Sequence, residues 1–174
     1  RILKRTGFPA NQLIVELTES LLIDALDKTA ATLASLRDMG IEVAIDDFGT
    51  GYSTFKLLKR VPVDILKIDQ MFISDLSDNP ADKAIAKAII DVAHALHMRV
   101  VAEGVESKAH LTTLQELGCD SIQGFYLSEA LPRTGISKLL REGIPGITKQ
   151  RTNADIEETK RKIAEQQKQR LVSA

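Results

Sequence analysis

The sequence predicts an α/β fold: a parallel (β/α) barrel that is incomplete, with about five of eight strands present. Three observations predict it. Short β-branched runs alternate with longer stretches of helical periodicity. The short runs are almost continuously apolar, as strands covered on both faces are. A polar or charged side chain stands at or near the C-terminal end of each run.

The runs read as strands are Leu13–Thr18, Glu42–Phe48, Asp64–Ile68, Arg99–Val105 and Ser121–Tyr126. Leu22, Ala25, Leu26, Thr29, Leu33 and Leu36 recur at three- and four-residue steps and predict a helix within Leu21–Met39. Ile85, Ala88, Ile89, Val92 and Leu96 predict another within Ala81–Leu96 and mark its buried face. Gly40 and Gly118 stand where left-handed helix caps are expected, and Pro62 closes a helix around Tyr52–Lys59. The strand-end residues are Glu16 and Glu19, Asp46 and Asp47, Lys67 and Asp69, Glu103 and Glu106, and Gln123. A doubly wound sheet would gather its chemistry at one switch point and carry a Gly-rich phosphate turn. Five consecutive strands delivering functional groups to one rim follow barrel logic instead.

Residues 1–146 are expected to form one part-domain, and residues 147–174 a charged tail, helical or disordered. Lys149–Ala174 holds seven basic and four acidic residues, a net +3, with Ile156, Ile163, Leu171 and Val172 as its large apolar side chains. The chain starts at Arg1, in what reads as helix interior, and is expected to be part of a longer product.

Composition narrows the function. Of 174 residues, 44% are hydrophobic and 27% charged, the balance of a soluble globular protein. A net charge of −1 supplies no field for a nucleic-acid polymer or an anionic membrane. Aromatics at 4%, with no Trp, argue against base stacking on an aromatic platform. No apolar run reaches the roughly 18 residues of a membrane span, and no secretory pattern opens the chain. The single Cys119 excludes an internal disulfide, fits a reducing, cytoplasmic compartment, and reads as structural.

The acidic residues carry the chemistry. Glu16 alternates with Val15 and Leu17, so it faces the barrel mouth while they face helices. An ionised carboxylate in an apolar strand is costly unless it is paired or binds a cation. Asp46-Asp47-Phe48-Gly49-Thr50-Gly51 is the strongest element. Adjacent acids at a strand end raise each other's pKa, and a divalent cation resolves the repulsion. An all-oxygen set favours Mg²⁺ or Mn²⁺, and adjacent carboxylates pointing apart would serve two metals with one bridging. Lys67, between Leu66 and Ile68, faces the interior. It either completes a structural ion pair or orients the attacking water and stabilises phosphate charge. Glu103 aims at the same site, and the neutral Gln123 would hold substrate or water. Asp-Phe-Gly without the other kinase elements is not the kinase motif. His94, His97 and His110 fall in helical patterns, away from any His–carboxylate metal pair.

The ordered set Glu-Leu-Thr-Glu, Asp-Asp-Phe-Gly-Thr-Gly, Leu-Lys-Ile-Asp, Ala-Glu-Gly-Val-Glu and Gln-Gly-Phe resembles the EAL-domain phosphodiesterases over about Arg1–Glu142. The resemblance implies a modified TIM-type barrel that cleaves cyclic di-GMP to 5′-pGpG with Mg²⁺ or Mn²⁺ at a two-metal site. It implies Glu16, Asp46 and Asp47 as metal ligands, with Asp46 bridging. Lys67 would contact the catalytic water, with Glu103 and Gln123 as the remaining site residues. Glu19, the Phe48–Ser53 segment with Gly49, Thr50 and Gly51, and Glu106 resemble a loop linked to dimerisation and its anchors. The implied partners are cyclic di-GMP, a second copy in a homodimer, and an upstream sensory or cyclase domain, in a parent that could be membrane-anchored. The resemblance places the family's name-giving, metal-ligating Glu-Ala-Leu segment and a later strand Asn upstream of Arg1. The Glu129-Ala130-Leu131 triplet here follows the last strand, where Glu129 replaces a commonly basic residue. The parent is therefore expected to be an active enzyme and the chain alone to have little or no activity. The alternative is a catalytically silent module for cyclic di-GMP binding or dimerisation.

Overall fold

The structure, a computed structural model, describes residues 1–19, 26–49, 58–59 and 61–144, with the backbone alone for 26–29. Within these, helix α1 (Ile2–Thr6) and a 3-10 turn at Ala10–Gln12 lead into strand β1 (Ile14–Thr18). Helix α2 (Leu26–Asp38), β2 (Glu42–Phe48) and β3 (Ile65–Ile68) follow. A 3-10 turn at Gln70–Phe72 precedes α3 (Pro80–Ala95), β4 (Arg99–Ala102), α4 (Lys108–Leu117), β5 (Ser121–Ile122) and α5 (Arg133–Glu142). The chain divides into two compact units, Arg1–Glu129 and Ala130–Ala174; the second contributes α5, whose Ile136 and Leu140 are exposed.

All five strands are parallel, in the spatial order β1-β2-β3-β4-β5. Each strand lies beside its successor and the order never reverses. A doubly wound sheet must reverse at a switch point, whereas a barrel does not. The expected fold class therefore holds, with five strands among the described residues.

Alternation sorts the side chains between two faces. Val43, Ile45, Leu66, Ile68, Val100 and Ala102 join Leu33, Ala86, Ile89, Ile90, Ala93 and Leu114 from the helices in one buried core. Burying each Leu or Ile contributes roughly 1.5–3 kcal/mol. Residues of opposite parity, among them Glu16, Ala44, Lys67 and Val101, face the barrel interior.

Several expected bounds shift. Gly40 and Gly118 take the left-handed conformation as expected (φ 84° and 82°), and Asn79 and Ser107 cap α3 and α4 with their side chains. β4 stops at Ala102, because Glu103 opens a turn through Gly104 (φ 66°), and β5 has two residues before the chain turns. The buried face of α3 is Ala86, Ile89, Ile90 and Ala93, one step round from the expected face, and Ile85 is 40% exposed. The small Ala86 and Ala93 let the helix approach the sheet closely. His97 lies beyond α3, in a left-handed turn (φ 61°) that ends the helix where Gly does elsewhere. Most of the helix expected around Tyr52–Lys59, and the tail, lie outside the described residues.

Candidate metal centre

Lys67 lies at the centre of the sheet, on β3, and is 5% exposed. Leu66 and Ile68 turn into the helix-side core, so its side chain emerges on the interior face as expected. Its Nζ lies 2.9 Å from Glu16 Oε2, 2.8 Å from Asp46 Oδ1 and 2.8 Å from Glu103 Oε1. Burial works against the ammonium charge, but the carboxylates of Asp46, Glu103 and Glu16 outweigh it and hold the lysine above its ordinary pKa.

Asp46 and Asp47 sit on an irregularity in β2. Ile45 pairs with Leu66 and Phe48 with Ile68, so two residues, Asp46 and Asp47, oppose Lys67 alone. This is a β-bulge, and Asp47 takes the left-handed conformation (φ 56°) that Asp tolerates better than most side chains. Strict alternation would have sent Asp47 into the helix-side core. The bulge re-aims it, so that one of its oxygens stands near those of Asp46 and Glu103. Single oxygens of Asp46, Asp47 and Glu103 lie within 4.8 Å of one another. Burial raises the Asp47 pKa above the usual carboxylate value, and the neighbouring Asp46 and Asp69 carboxylates add to it.

These residues fit a divalent cation. Asp46 Oδ1 is buried and meets the Lys67 ammonium at 2.8 Å, so a cation already stands against it. Among the described residues three carboxylates, Glu16, Asp46 and Glu103, share the one ammonium of Lys67. The donors are all hard oxygens, the chemistry of Mg²⁺, Mn²⁺ or Ca²⁺. Glu16 stands beside the three-carboxylate group, tied to it through Lys67.

The loop leaving β2 is fixed at its first residue. Glu19 is 2% exposed, and its Oε2 accepts the Gly49 N–H at 2.9 Å. Phe48 is part of the core. Thr50 and Gly51 lie outside the described residues. Gly124 holds the other side of the site: a Cβ there would stand 2.3 Å from the Val105 N and O atoms, so only glycine lets these backbones meet. That contact sets the Glu103–Val105 turn against Gln123, whose N–H donates to Ala102 O at 2.8 Å. The Gln123 side chain is exposed, as are those of Glu106 and Glu129. Asp69 was read as a strand-end acid without a role. It caps the Gln70–Phe72 turn, accepting from the Met71 N–H at 2.7 Å, and its charge acts on Asp47. An acid directly after a strand and before a turn is the signal for it. Cys119 is a free thiol pushed up to about 11, chiefly by burial, in keeping with a structural role.

The family model described as EAL domain matches residues 1–130. The chain belongs to the EAL-domain family. It is 43% identical over 139 residues to the cyclic di-GMP phosphodiesterase NbdA of Pseudomonas aeruginosa, a match covering 80% of this chain and 18% of NbdA. The chain thus spans less than a fifth of that relative. The crystal structure of the EAL domain of Mycobacterium smegmatis DcpA superposes with a TM-score of 0.78 at 43% identity, covering 82% of this chain and 64% of that one. The manganese and cyclic di-GMP complex of Klebsiella pneumoniae BlrP1 superposes with a TM-score of 0.69 at 35% identity, covering 73% of this chain and 32% of that one. No helix among the described residues of this EAL chain is long and apolar enough to cross a membrane.

Proposed function

We propose that this EAL chain carries the catalytic rim of a phosphodiesterase that hydrolyses cyclic di-GMP to 5′-pGpG. The observation that carries the reading is the convergence of Asp46, Asp47 and Glu103 within 4.8 Å, beside a buried lysine, at the C-terminal end of a parallel sheet. NbdA, which bears the name of this activity, and BlrP1, solved with manganese and the nucleotide, support it.

In this reading Glu16, Asp46 and Asp47 would hold Mg²⁺ or Mn²⁺, and Glu103 would complete the acidic set. A divalent cation held there acidifies a water and offsets phosphate charge. Lys67 orients that water and stabilises negative charge developing on phosphorus oxygens. Gln123, at the open side, holds substrate or water. Glu19 restrains the loop that leaves Asp46–Asp47 through Gly49. The working protein is proposed to be a cytoplasmic homodimer with an upstream sensory or cyclase domain. Five strands leave both sheet edges unpaired within the described residues, so the chain by itself is proposed to have little or no activity.

The test is conversion of cyclic di-GMP to pGpG with Mg²⁺, by this chain and by a form joined to the remaining strands of the barrel. Turnover by the joined form alone, abolished by Asp46→Asn, is the expected result. Tight nucleotide binding by the joined form without cleavage would overturn the enzymatic reading in favour of a sensor.

A further inference from the structure

The contacts of Lys67 assign it a second role, one that rests on the divalent-cation reading above. Its Nζ lies 2.8 Å from Asp46 Oδ1 and 2.8 Å from Glu103 Oε1. Those residues are two of the three whose carboxylate oxygens lie within 4.8 Å of one another. The ammonium therefore sits against the same acids that a cation must engage. Its remaining partner, Glu16, lies outside that trio at 2.9 Å and is the most exposed of the three, its side chain 49% accessible against 24% for Asp46 and 18% for Glu103. Asp46 Oδ1 is buried, and the Lys67 ammonium at 2.8 Å is the partner that compensates it.

We propose that Lys67 is a built-in competitor of the divalent cation. It gathers Asp46 and Glu103 while the cation is absent and yields them when the cation binds. Two consequences follow from charge alone. The acids stay close together without a metal, so the centre is organised in advance. The resident charge also weakens cation binding, because a unit charge about 4 Å from a divalent ion repels it even at the dielectric of bulk water. Removing that charge should tighten binding by roughly tenfold or more. Released from Asp46, the ammonium is free to meet a phosphate or a water. Lys67 thereby becomes a positioning residue before it becomes a catalytic one.

The test titrates Mn²⁺ into the metal-free chain, reading free Mn²⁺ by electron paramagnetic resonance, for wild type, Lys67→Met and Lys67→Arg. Lys67→Met should bind Mn²⁺ roughly tenfold tighter or better. It should also melt at a lower temperature in chelator and regain that loss with Mn²⁺, while Lys67→Arg keeps the wild-type affinity. An unchanged or weaker affinity in a folded Lys67→Met chain overturns the competitor role and leaves the cation site standing. If neither wild type nor Lys67→Met binds Mn²⁺, these residues hold no cation by themselves and the competitor role is overturned, while turnover by the joined form separately decides the proposed function. Should Lys67→Met not fold without metal, the wild-type chain supplies the reading through its ¹⁵N ammonium resonance. A Lys67 signal that moves in step with Mg²⁺ saturation supports displacement, and one that stays fixed at saturation overturns it.

Discussion

Gly49→Ala tests whether the loop after the aspartate pair is held by close packing. Gly49 has φ 101°, a conformation that side-chain-bearing residues rarely adopt, and that strain costs about 1–3 kcal/mol. A Cβ at this position would stand 2.5 Å from Phe72 Cε2. Phe72 packs against the core, so its ring cannot swing freely, and overpacking of this kind adds about 1–3 kcal/mol. The expected loss is therefore about 2–6 kcal/mol, a large part of the roughly 5–15 kcal/mol that holds a typical domain. Gly118→Ala is the internal control: its φ is 82°, but nothing lies within 4 Å of the added Cβ, so strain alone should register at about 1 kcal/mol. Urea unfolding followed by circular dichroism measures both. Because the Gly49 N–H donates to the buried Glu19, the same change should also loosen Mn²⁺ binding through Asp47, two residues earlier. A Gly49→Ala loss no larger than that of Gly118→Ala would refute the packing argument.

Two further predictions concern ionisable groups. The Asp47 pKa lies above its unfolded value of 3.8, so the folded, metal-free chain holds this proton more tightly and loses stability as pH rises from about 4 through the raised pKa. Asp47→Asn should remove that slope, so its stability advantage over wild type in chelator should widen from pH 4 to pH 7; a gap that stays flat or narrows contradicts the assignment. The Cys119 thiol, pushed up to about 11, should alkylate roughly two orders of magnitude more slowly at pH 8 than a free cysteine, and at the ordinary rate once the chain is unfolded in urea.

Much of this architecture is legible in the sequence because strand alternation and helix periodicity are local signals. Glu42–Phe48 is bounded correctly because the apolar run Val43–Ile45 marks its middle and Gly40 and Gly49 lie just outside its two ends. The interior direction of Lys67 follows from its two apolar neighbours. What escapes is whatever depends on a second strand. The bulge at Asp46–Asp47 exists only in the register against β3, so alternation alone sends the carboxylates apart. The early end of β4 depends on the Gly104 turn and on the close approach of Gly124 to Val105, a contact between separate segments. The face of α3 was displaced by one step because alanine carries a weak periodic signal, yet Ala86 and Ala93 are the residues that touch the core.

The two rims of the sheet show why the site could be recognised at all. At the N-terminal rim each acid is answered locally. Asp64 accepts the Val43 N–H at 3.1 Å and pairs with Arg37 at 3.2 Å. Asp120 accepts the Val100 N–H at 2.8 Å and meets His94 Nε2 at 2.9 Å, while Glu42 pairs with Arg99 at 2.6 Å. At the C-terminal rim, among the described residues, Glu16, Asp46 and Glu103 share the single ammonium of Lys67, and oxygens of Asp46, Asp47 and Glu103 lie within 4.8 Å of one another. Acids of the same two residue types thus lie in opposite electrostatic circumstances at the two ends of the same strands. Where each charge is matched by a backbone donor or a cation, the acid stabilises the fold and has no capacity left for a ligand. Where acids outnumber the cations that serve them, the imbalance costs stability and is relieved only by something bound from outside. That imbalance, rather than the presence of acids as such, marks the C-terminal rim as the working end of the sheet.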